Sequence, residues 1–174
     1  MSTSSDSIRV VGEKDLLDLS RIPRGTWSAW IRNGHFEGRP DGLYGEGDVI
    51  SAVVFSLLAD ALAPRKAAIA WKDCGAATID ACLGLPLKDE DETLALAIDG
   101  YALTGVAAKG PIELFKAVHQ QKPSPRNWIV IPLSALVREA RSGFWKRARP
   151  ASELKKDGRR RSPKSRLERQ SASD

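Results

Sequence analysis

The sequence predicts an α+β protein, and three observations carry this prediction. Between Glu13 and Leu62, apolar residues recur at helical spacing. Residues 94–98 instead alternate large and small apolar side chains, and a helix–strand–helix pattern follows them. The segment 146–174 carries 11 Lys/Arg and 4 Asp/Glu and has few large apolar residues, which is typical of a chain without a packed core. The predicted order is therefore helices, a small β-hairpin-α-β-α unit, and a disordered basic tail.

The first elements are predicted to be two short helices after a polar leader. Residues 1–8 are rich in serine, and we expect them to be disordered. "GEKDLLDLS" then places three leucines on a short amphipathic helix with acidic residues at its start. Pro23 cannot continue this helix, but it suits the first turn of the next one. "RGTWSAWIRNG" predicts that second helix, which ends near Gly34 as the residue after its C-cap.

A turn-rich segment separates these helices from two longer ones. "HFEGRPDGLY" has the residues of a small β-hairpin or loop. "EGDVISAVVFSLLADAL" is the clearest helix of the chain, with acidic residues in its first turn. Pro64 should end that helix. The following residues are predicted to be helical in pieces, interrupted near Gly75 and stopped by Gly84 and Pro86.

The second half predicts a compact α+β unit after an acidic linker, "LKDEDE". Asp99-Gly100 favours a two-residue type I′ turn between two short strands. Pro111 should open a helix, and "NWIVIPL" should form a buried strand. Ser134 is expected to be the N-cap of a last helix.

The segment "RIPRGTWSAWIRNG" has the pattern of a helix-turn-helix. On its second helix, Trp27 and Trp30 share one face and should pack inwards. Arg24, Ser28 and Arg32 share another face. Short side chains allow a helix to enter the major groove of DNA, and arginine can bind guanine edges or phosphates.

"IPRGTWSAWIRNGHF", followed by "GLYGEGDVISAVVF", resembles the winged helix-turn-helix of MerR-type transcriptional regulators over residues 9–62. The residues that carry the resemblance are Thr26, Trp30, Arg32, Gly34, Phe36, Tyr44, Glu46 and Asp48. The resemblance implies that the glycines after the second helix shape a wing. It also implies DNA contacts by Arg21, Arg24, Thr26, Trp27, Ser28, Arg32, Asn33, Arg39 and Tyr44.

This chain departs from the MerR-type pattern at three places. Arg21 stands where the family has a turn glycine, and Gly45 stands where the family has a capping serine. Pro64 cuts the helix that the family extends into a long dimerisation coiled coil. Dimer geometry and effector type therefore do not follow from the resemblance.

The predicted organisation has five parts: a leader (1–8), a winged helix-turn-helix (9–62), a helical connector (63–87), an α+β unit (88–149) and a disordered basic tail (150–174). We expect a transcriptional regulator that binds double-stranded DNA as a homodimer, with the α+β unit as the dimerisation or partner-binding part. The tail would add electrostatic affinity, or it would only be a solvated end. The alternatives are a protein-interaction module, antitoxin-like or adaptor, and an architectural protein of excisionase type.

Other functional classes find no support in the sequence. No Walker A motif, dinucleotide fingerprint or catalytic triad pattern is present, so we expect no enzyme and no cofactor. Cys74 and Cys82 match no zinc spacing and are expected to be reduced thiols, with no metal site. The start of the chain lacks the apolar stretch of a signal peptide, and no apolar run is long enough to cross a membrane. We therefore expect a cytoplasmic protein.

Overall fold

The computed structural model describes residues 8–88, 92–100, 102–120 and 128–154, and in these ranges the protein is α+β. Most of the predicted leader, the acidic residues 89–91 and the tail from residue 155 lie outside the described residues. None of the described helices is long and apolar enough to span a membrane.

Helices and strands follow one another along the whole described chain. In order they are β1 (Arg9–Gly12), α1 (Glu13–Ser20), α2 (Arg24–Arg32), β2 (Leu43–Tyr44), α3 (Glu46–Leu62), α4 (Pro64–Leu83), β3 (Leu94–Asp99), β4 (Gly105–Lys109), α5 (Gly110–Gln120), β5 (Trp128–Pro132), α6 (Ser134–Arg147) and β6 (Arg149–Pro150). The helices predicted at the N-terminal end and the β-hairpin-α-β-α order of the second half are confirmed.

The first sheet joins the two ends of the described chain. Its antiparallel order is β2-β1-β6, so that β1 is the central strand. Arg9 pairs with Pro150, and the amide of Ala151 donates to the carbonyl of Ile8 at 3.2 Å. The prediction that disorder begins at residue 150 is therefore wrong for the first residues of the tail. The sheet was not predicted, because its strands are short and lie far apart in the sequence.

The second sheet has the order β4-β3-β5 and is also antiparallel. One face of it, which includes Leu96 of β3, belongs to the hydrophobic core. The prediction of a two-residue turn at Asp99-Gly100 is wrong, because residues 100–104 connect the two strands. The connection is closed by hydrogen bonds from the amide of Leu103 to the carbonyl of Asp99 and from the amide of Asp99 to the carbonyl of Thr104.

A single hydrophobic cluster runs through the described chain, with α3 near its centre. Nine residues of α3 are buried, and α1, α4 and α6 all contact this helix. The cluster includes residues from Val11 to Ala148. It therefore crosses both boundaries predicted at 62/63 and 87/88, and the segment predicted as a connector is part of the core.

Helix α4 is continuous, so the predicted interruption near Gly75 is wrong. Gly75 is buried, and a Cβ built there would lie 2.9 Å from Cε2 of the Trp71 indole. A glycine within a helix costs roughly 1 kcal/mol relative to alanine. Here the missing side chain makes room for the Trp71 ring, and the packing of α4 on α3 holds the helix together.

The prediction that Ser134 caps α6 is also wrong, because the N-cap is Leu133. The Ser134 hydroxyl instead accepts a hydrogen bond from the amide of Leu94 at 2.6 Å, and it lies 3.3 Å from the carbonyl of Leu94. Ser134 is already the first residue inside the helix, and its hydroxyl bonds the backbone of a distant strand instead of the first turn. Ser134 therefore fixes the start of β3 against α6.

Both cysteines are free, buried thiols on α4. Burial raises the pKa of Cys82 to about 12, and it also raises the pKa of Cys74. Because the thiolate is the reactive form, we expect neither cysteine to react with a thiol reagent such as DTNB at pH 8 in the folded protein. DTNB labelling in the absence and presence of urea checks this expectation. Two thiols per chain should react, and only when urea has unfolded the protein. Rapid labelling of the folded chain would contradict the burial.

Candidate nucleic-acid interface

A tight turn connects α1 to α2. Residues 21–23 are the only ones between the two helices, and Arg21 has the left-handed conformation (φ 56°, ψ 26°). The amide of Ile22 donates to the carbonyl of Leu17 at 3.2 Å, and the Ile22 side chain is buried. The two helices thus form the connected pair that the sequence predicts.

Two tryptophans anchor α2 to the body of the protein. Trp27 is 1% exposed, and its ring centroid lies 4.9 Å from that of Phe36. The Trp30 ring meets Phe55 of α3 edge-on at 4.9 Å. The prediction that these two residues pack inwards on one helix face is confirmed.

The end of α2 is fixed by backbone hydrogen bonds. Gly34 has a φ of +66°, as expected of the residue after a C-cap. The amide of Gly34 donates to the carbonyl of Ile31 at 3.0 Å, and the amide of His35 donates to the carbonyl of Trp30 at 2.9 Å. This pair of bonds is a Schellman motif, and it sets the direction in which the chain leaves α2.

The opposite side of α2 is open to solvent. The predicted contact residues that are exposed on α2 and at its C-cap are Arg24, Thr26, Ser28, Arg32 and Asn33. No ion pair to Arg32 occurs within the described ranges of the chain. Five of the nine predicted contact residues are therefore accessible, and we call them together the α2 surface; Arg24, Ser28 and Arg32 share one helix face, while Thr26 and Asn33 lie beside it.

Trp27 and Tyr44 are corrections to the predicted contact set. Both side chains are buried, and their rings meet at 6.1 Å in an edge-on arrangement. Burial also raises the pKa of Tyr44. Side chains enclosed in this way cannot touch a duplex, so the two residues support α2 from below.

The remaining predicted contacts are arginines that pair with carboxylates. Arg21 Nη2 lies 2.7 and 2.9 Å from the two carboxylate oxygens of Glu139 on α6. Arg39 Nη2 lies 2.9 Å from Asp48 Oδ1, and this bond raises the pKa of Arg39. Arg24 belongs to the α2 surface, and its Nε lies 3.7 Å from Glu13 Oε1. Sequence reasoning missed these partners, and for Glu139, 118 residues from Arg21, no local signal exists.

The segment between α2 and α3 is a loop with one short strand. Residues 33–42, here called the α2–β2 loop, contain no strand, and β2 pairs with β1. The amide of Gly45 donates to Asp48 Oδ2 at 2.8 Å, which starts α3 without a capping side chain at Gly45. Of the two predicted forms, hairpin or loop, the structure has the loop. A groove of about 530 Å³ separates part of this loop from α3 and α4.

The comparisons with known proteins add no information on the role of these residues. No protein-family model, curated protein or solved structure matches this chain.

Proposed function

We propose that this protein binds double-stranded DNA sequence-specifically and regulates transcription, with α2 reading the major groove. One observation carries the proposal: α2 buries two tryptophans on one side and presents a row of arginines and short polar side chains on the other. A helix anchored in this way can lie in a groove about 12 Å wide without losing its packing. Helix-turn-helix proteins use their second helix in this position.

The turn before α2 supports the proposal. Arg21 has a left-handed backbone conformation, and it stands where the MerR-type regulators that the sequence resembles have a glycine. Glycine is favoured in that conformation because it lacks a Cβ. The local geometry therefore agrees with the resemblance although the residue differs. The winged part of the resemblance is supported only by the position of the α2–β2 loop.

Within this proposal the residues of the α2 surface have different roles. Arg32 and Arg24 donate to guanine edges or phosphates, while Thr26 and Ser28 permit close approach and Asn33 can bind adenine. Arg24 has to leave Glu13, and an exposed pair at 3.7 Å offers little resistance. Arg21 and Arg39 hold carboxylates more closely, and their roles are to fix α6 and the start of α3.

The basic segment at the end of the chain would add affinity without specificity. Residues 146–174 carry 11 Lys/Arg and 4 Asp/Glu, whereas residues 1–145 carry 16 and 18. Cations that neutralise phosphates release counterions, so their contribution falls steeply with salt. We propose that this segment tethers the protein to DNA while the α2 surface reads bases.

The test is binding of the full chain to a genomic fragment library, followed by affinity measurements on the enriched site. Arg24→Ala combined with Arg32→Ala is expected to weaken binding to that site by at least about 30-fold, since each base contact contributes roughly 1–3 kcal/mol. Substituting Arg159, Arg160 and Arg161 by glutamine should instead weaken binding to all sequences and reduce its salt dependence between about 50 and 200 mM.

The matched control replaces Lys66 and Lys88 by alanine. Both are exposed, both lie outside α1, α2 and the α2–β2 loop, and their removal changes the net charge by the same amount. We expect this control to bind the selected site within about threefold of the unmodified chain. Equal losses in the two double variants would mean that only net charge matters, and the base-reading proposal would then fail.

A second candidate is a protein-interaction module in which DNA binding is lost or secondary. It is favoured by the pairing of Arg21, Arg24 and Arg39 with carboxylates, and by the six Lys/Arg and eight Asp/Glu of residues 9–62. Under this alternative the library shows no enriched site at either salt concentration. Under this alternative, Arg24→Ala combined with Arg32→Ala leaves the binding of the protein partner unchanged.

A further inference from the structure

Strand β5 lies at an edge of the second sheet, because it pairs with β3 alone among the described strands. The amide of Leu133 donates to the carbonyl of Leu94 at 2.9 Å, one pair beyond the end of the β3–β5 ladder. In an antiparallel ladder, such hydrogen-bonded pairs alternate with pairs whose backbone groups point away from each other. Counting back along β5, Ile131 and Ile129 therefore bond β3. The backbone groups of the other residues of β5 point out of the sheet edge: Trp128, Val130 and Pro132.

The β5 edge, which we define as Trp128, Val130 and Pro132, is accessible. Val130 is 51% exposed, and its outward amide and carbonyl have no partner within the described ranges of the chain. Pro132 is exposed and has no amide hydrogen, and at an outward position this costs the ladder with β3 no bond. The edge thus offers hydrogen bonds to another extended strand.

The opposite edge of the same sheet is capped by side chains. By the same alternation, Gly105 and Lys109 point outwards from β4. The amide of Gly105 donates to Asp73 Oδ2 of α4 at 3.4 Å. The amide of Lys109 donates to Glu113 Oε2 of α5 at 3.3 Å. Carboxylates from two helices therefore occupy amides of the β4 edge, whereas the described chain leaves the amide of Val130 open.

The β5 edge is complementary to itself in an antiparallel arrangement. In a two-fold interface each contact occurs twice. With the axis beside Val130, each Val130 amide donates to the Val130 carbonyl of the other copy. Each Trp128 amide then donates to the Pro132 carbonyl of the other copy. Only the carbonyl of Trp128 lacks a donor, since Pro132 has none, and both outward amides of the edge are satisfied by the edge itself.

The side chains of the β5 edge also match under this symmetry. Alternate residues of a strand point to the same face, so Trp128, Val130 and Pro132 share one face. The axis places Val130 opposite Val130 and Trp128 opposite Pro132, and apolar pairs opposite each other stabilise a sheet. Charged residues are a common means of keeping edge strands apart, and β5 contains none. The edge is therefore apolar as well as complementary to itself in its hydrogen bonds.

We propose that the β5 edges of two copies of this chain pair antiparallel about a two-fold axis at Val130. The two second sheets then form one continuous sheet in the order β4-β3-β5-β5-β3-β4. The paired strands are only five residues long, so the interface is small and its dissociation constant is expected on the order of micromolar. The proposal uses no residue of the α2 surface and its tests contain no DNA, so its failure and that of the DNA-binding proposal are separate results.

The first test is analytical ultracentrifugation of the full chain, from about 1 to 300 µM, a range that brackets the expected dissociation constant. A monomer–dimer equilibrium is expected. Val130→Pro removes the amide at the axis without removing a bond to β3, and it should raise the dissociation constant at least about 30-fold. Val130→Thr keeps both the amide and a branched side chain, and it should stay within about threefold of the unmodified chain. Circular dichroism checks that both variants fold.

A lysine at the same position tests the edge without changing the backbone. Val130→Lys places like charges opposite each other at the axis, and it should weaken the dimer about 5- to 10-fold. The matched control is Ile69→Lys on α4, since Ile69 is 52% exposed and Val130 is 51% exposed. We expect this control to leave the dissociation constant unchanged.

Cysteine cross-linking tests the register. Val130→Cys should form a disulfide between two copies under mild oxidation, because the Cα atoms of a hydrogen-bonded pair are about 5.5 Å apart, within reach of a disulfide. Trp128→Cys should cross-link to Pro132→Cys in a mixture of the two variants, and neither should cross-link to itself. Ile69→Cys is the control and should stay uncrosslinked. The native thiols are buried and do not interfere.

Hydrogen exchange of the 128–132 segment, followed by mass spectrometry, separates a second copy from any other cover. With a second copy, the amides of Trp128 and Val130 exchange rapidly in dilute solution and become protected as the dimer forms. Equal protection at all concentrations would show that the chain covers its own edge. A monomer with rapidly exchanging amides throughout the range would leave the edge to another molecule or to water. Either result overturns the proposal, as does a dimer that Val130→Lys affects no more than Ile69→Lys does.

Discussion

Arg141→Ala is expected to lower the free energy of unfolding by about 3–5 kcal/mol, which is typical of removing one partner from a buried ion pair. Arg141 Nε donates to Glu46 Oε1 at 2.8 Å, and the two side chains are only 12% and 17% exposed. Arg141 Nη1 also donates to the carbonyls of Cys82 and Leu85 at the end of α4. Alanine would leave a nearly enclosed carboxylate and two carbonyls without this donor.

Urea unfolding followed by circular dichroism measures this loss, and a fall in Tm of roughly 6–20 °C should accompany it. The control is Arg21→Ala, which breaks an equally short pair whose side chains are 65% and 62% exposed. That change should cost no more than about 1 kcal/mol. Removing Glu46 together with Arg141 should recover part of the loss. Similar losses for Arg21 and Arg141 would show that burial does not govern these pairs.

Trp27→Ala is expected to cost about 3–5 kcal/mol, as truncation of a buried tryptophan usually does. The Trp27 ring lies under α2 against Phe36 and Tyr44. Its removal leaves a cavity between α2 and the residues that follow it. The Schellman motif at Gly34 fixes the nearby backbone, and this limits how far the cavity can collapse.

The measurement is again urea unfolding, with Trp27→Phe expected to lose less because part of the ring contact remains. Trp145→Ala is the matched control on α6, since this tryptophan is 46% exposed and makes one bond, at 3.0 Å, from Nε1 to Glu46. We expect the control to cost about 1 kcal/mol. A loss at Trp27 no larger than that at Trp145 would mean that α2 is not anchored through this ring.

Local patterns in the sequence predicted helices and strands well where the signal was periodic, and failed where distant residues decided the outcome. The spacing of the leucines in α1 and the cap at Gly34 are local, and both appear in the structure. Strand β1 was missed because its partners stand at residues 43–44 and 149–150. Ser134 has the chemistry of an N-cap, but Leu94, 40 residues away, takes its hydroxyl.

For the candidate site too, predictions from local spacing succeeded, and predictions that depended on distant residues failed. Helical spacing predicted which residues of α2 face outwards, and Arg24, Ser28 and Arg32 are exposed as expected. The list of contacts taken from the resemblance carried no information about burial, so it included Trp27 and Tyr44. No sequence pattern pairs Arg21 with Glu139, because only the packing of α6 beside α1 brings the two together.

The pairing of β1 with β6 bears on the order in which the chain can fold during synthesis. The central strand of the first sheet leaves the ribosome before every other described element, and its partner at Arg149–Pro150 is the last described strand to follow. Closing so long a loop is slow compared with forming local helices. The helices can therefore form on the nascent chain, but one edge of β1 stays unpaired until almost all of residues 8–154 have emerged. In that interval the edge is open to pairing with other chains.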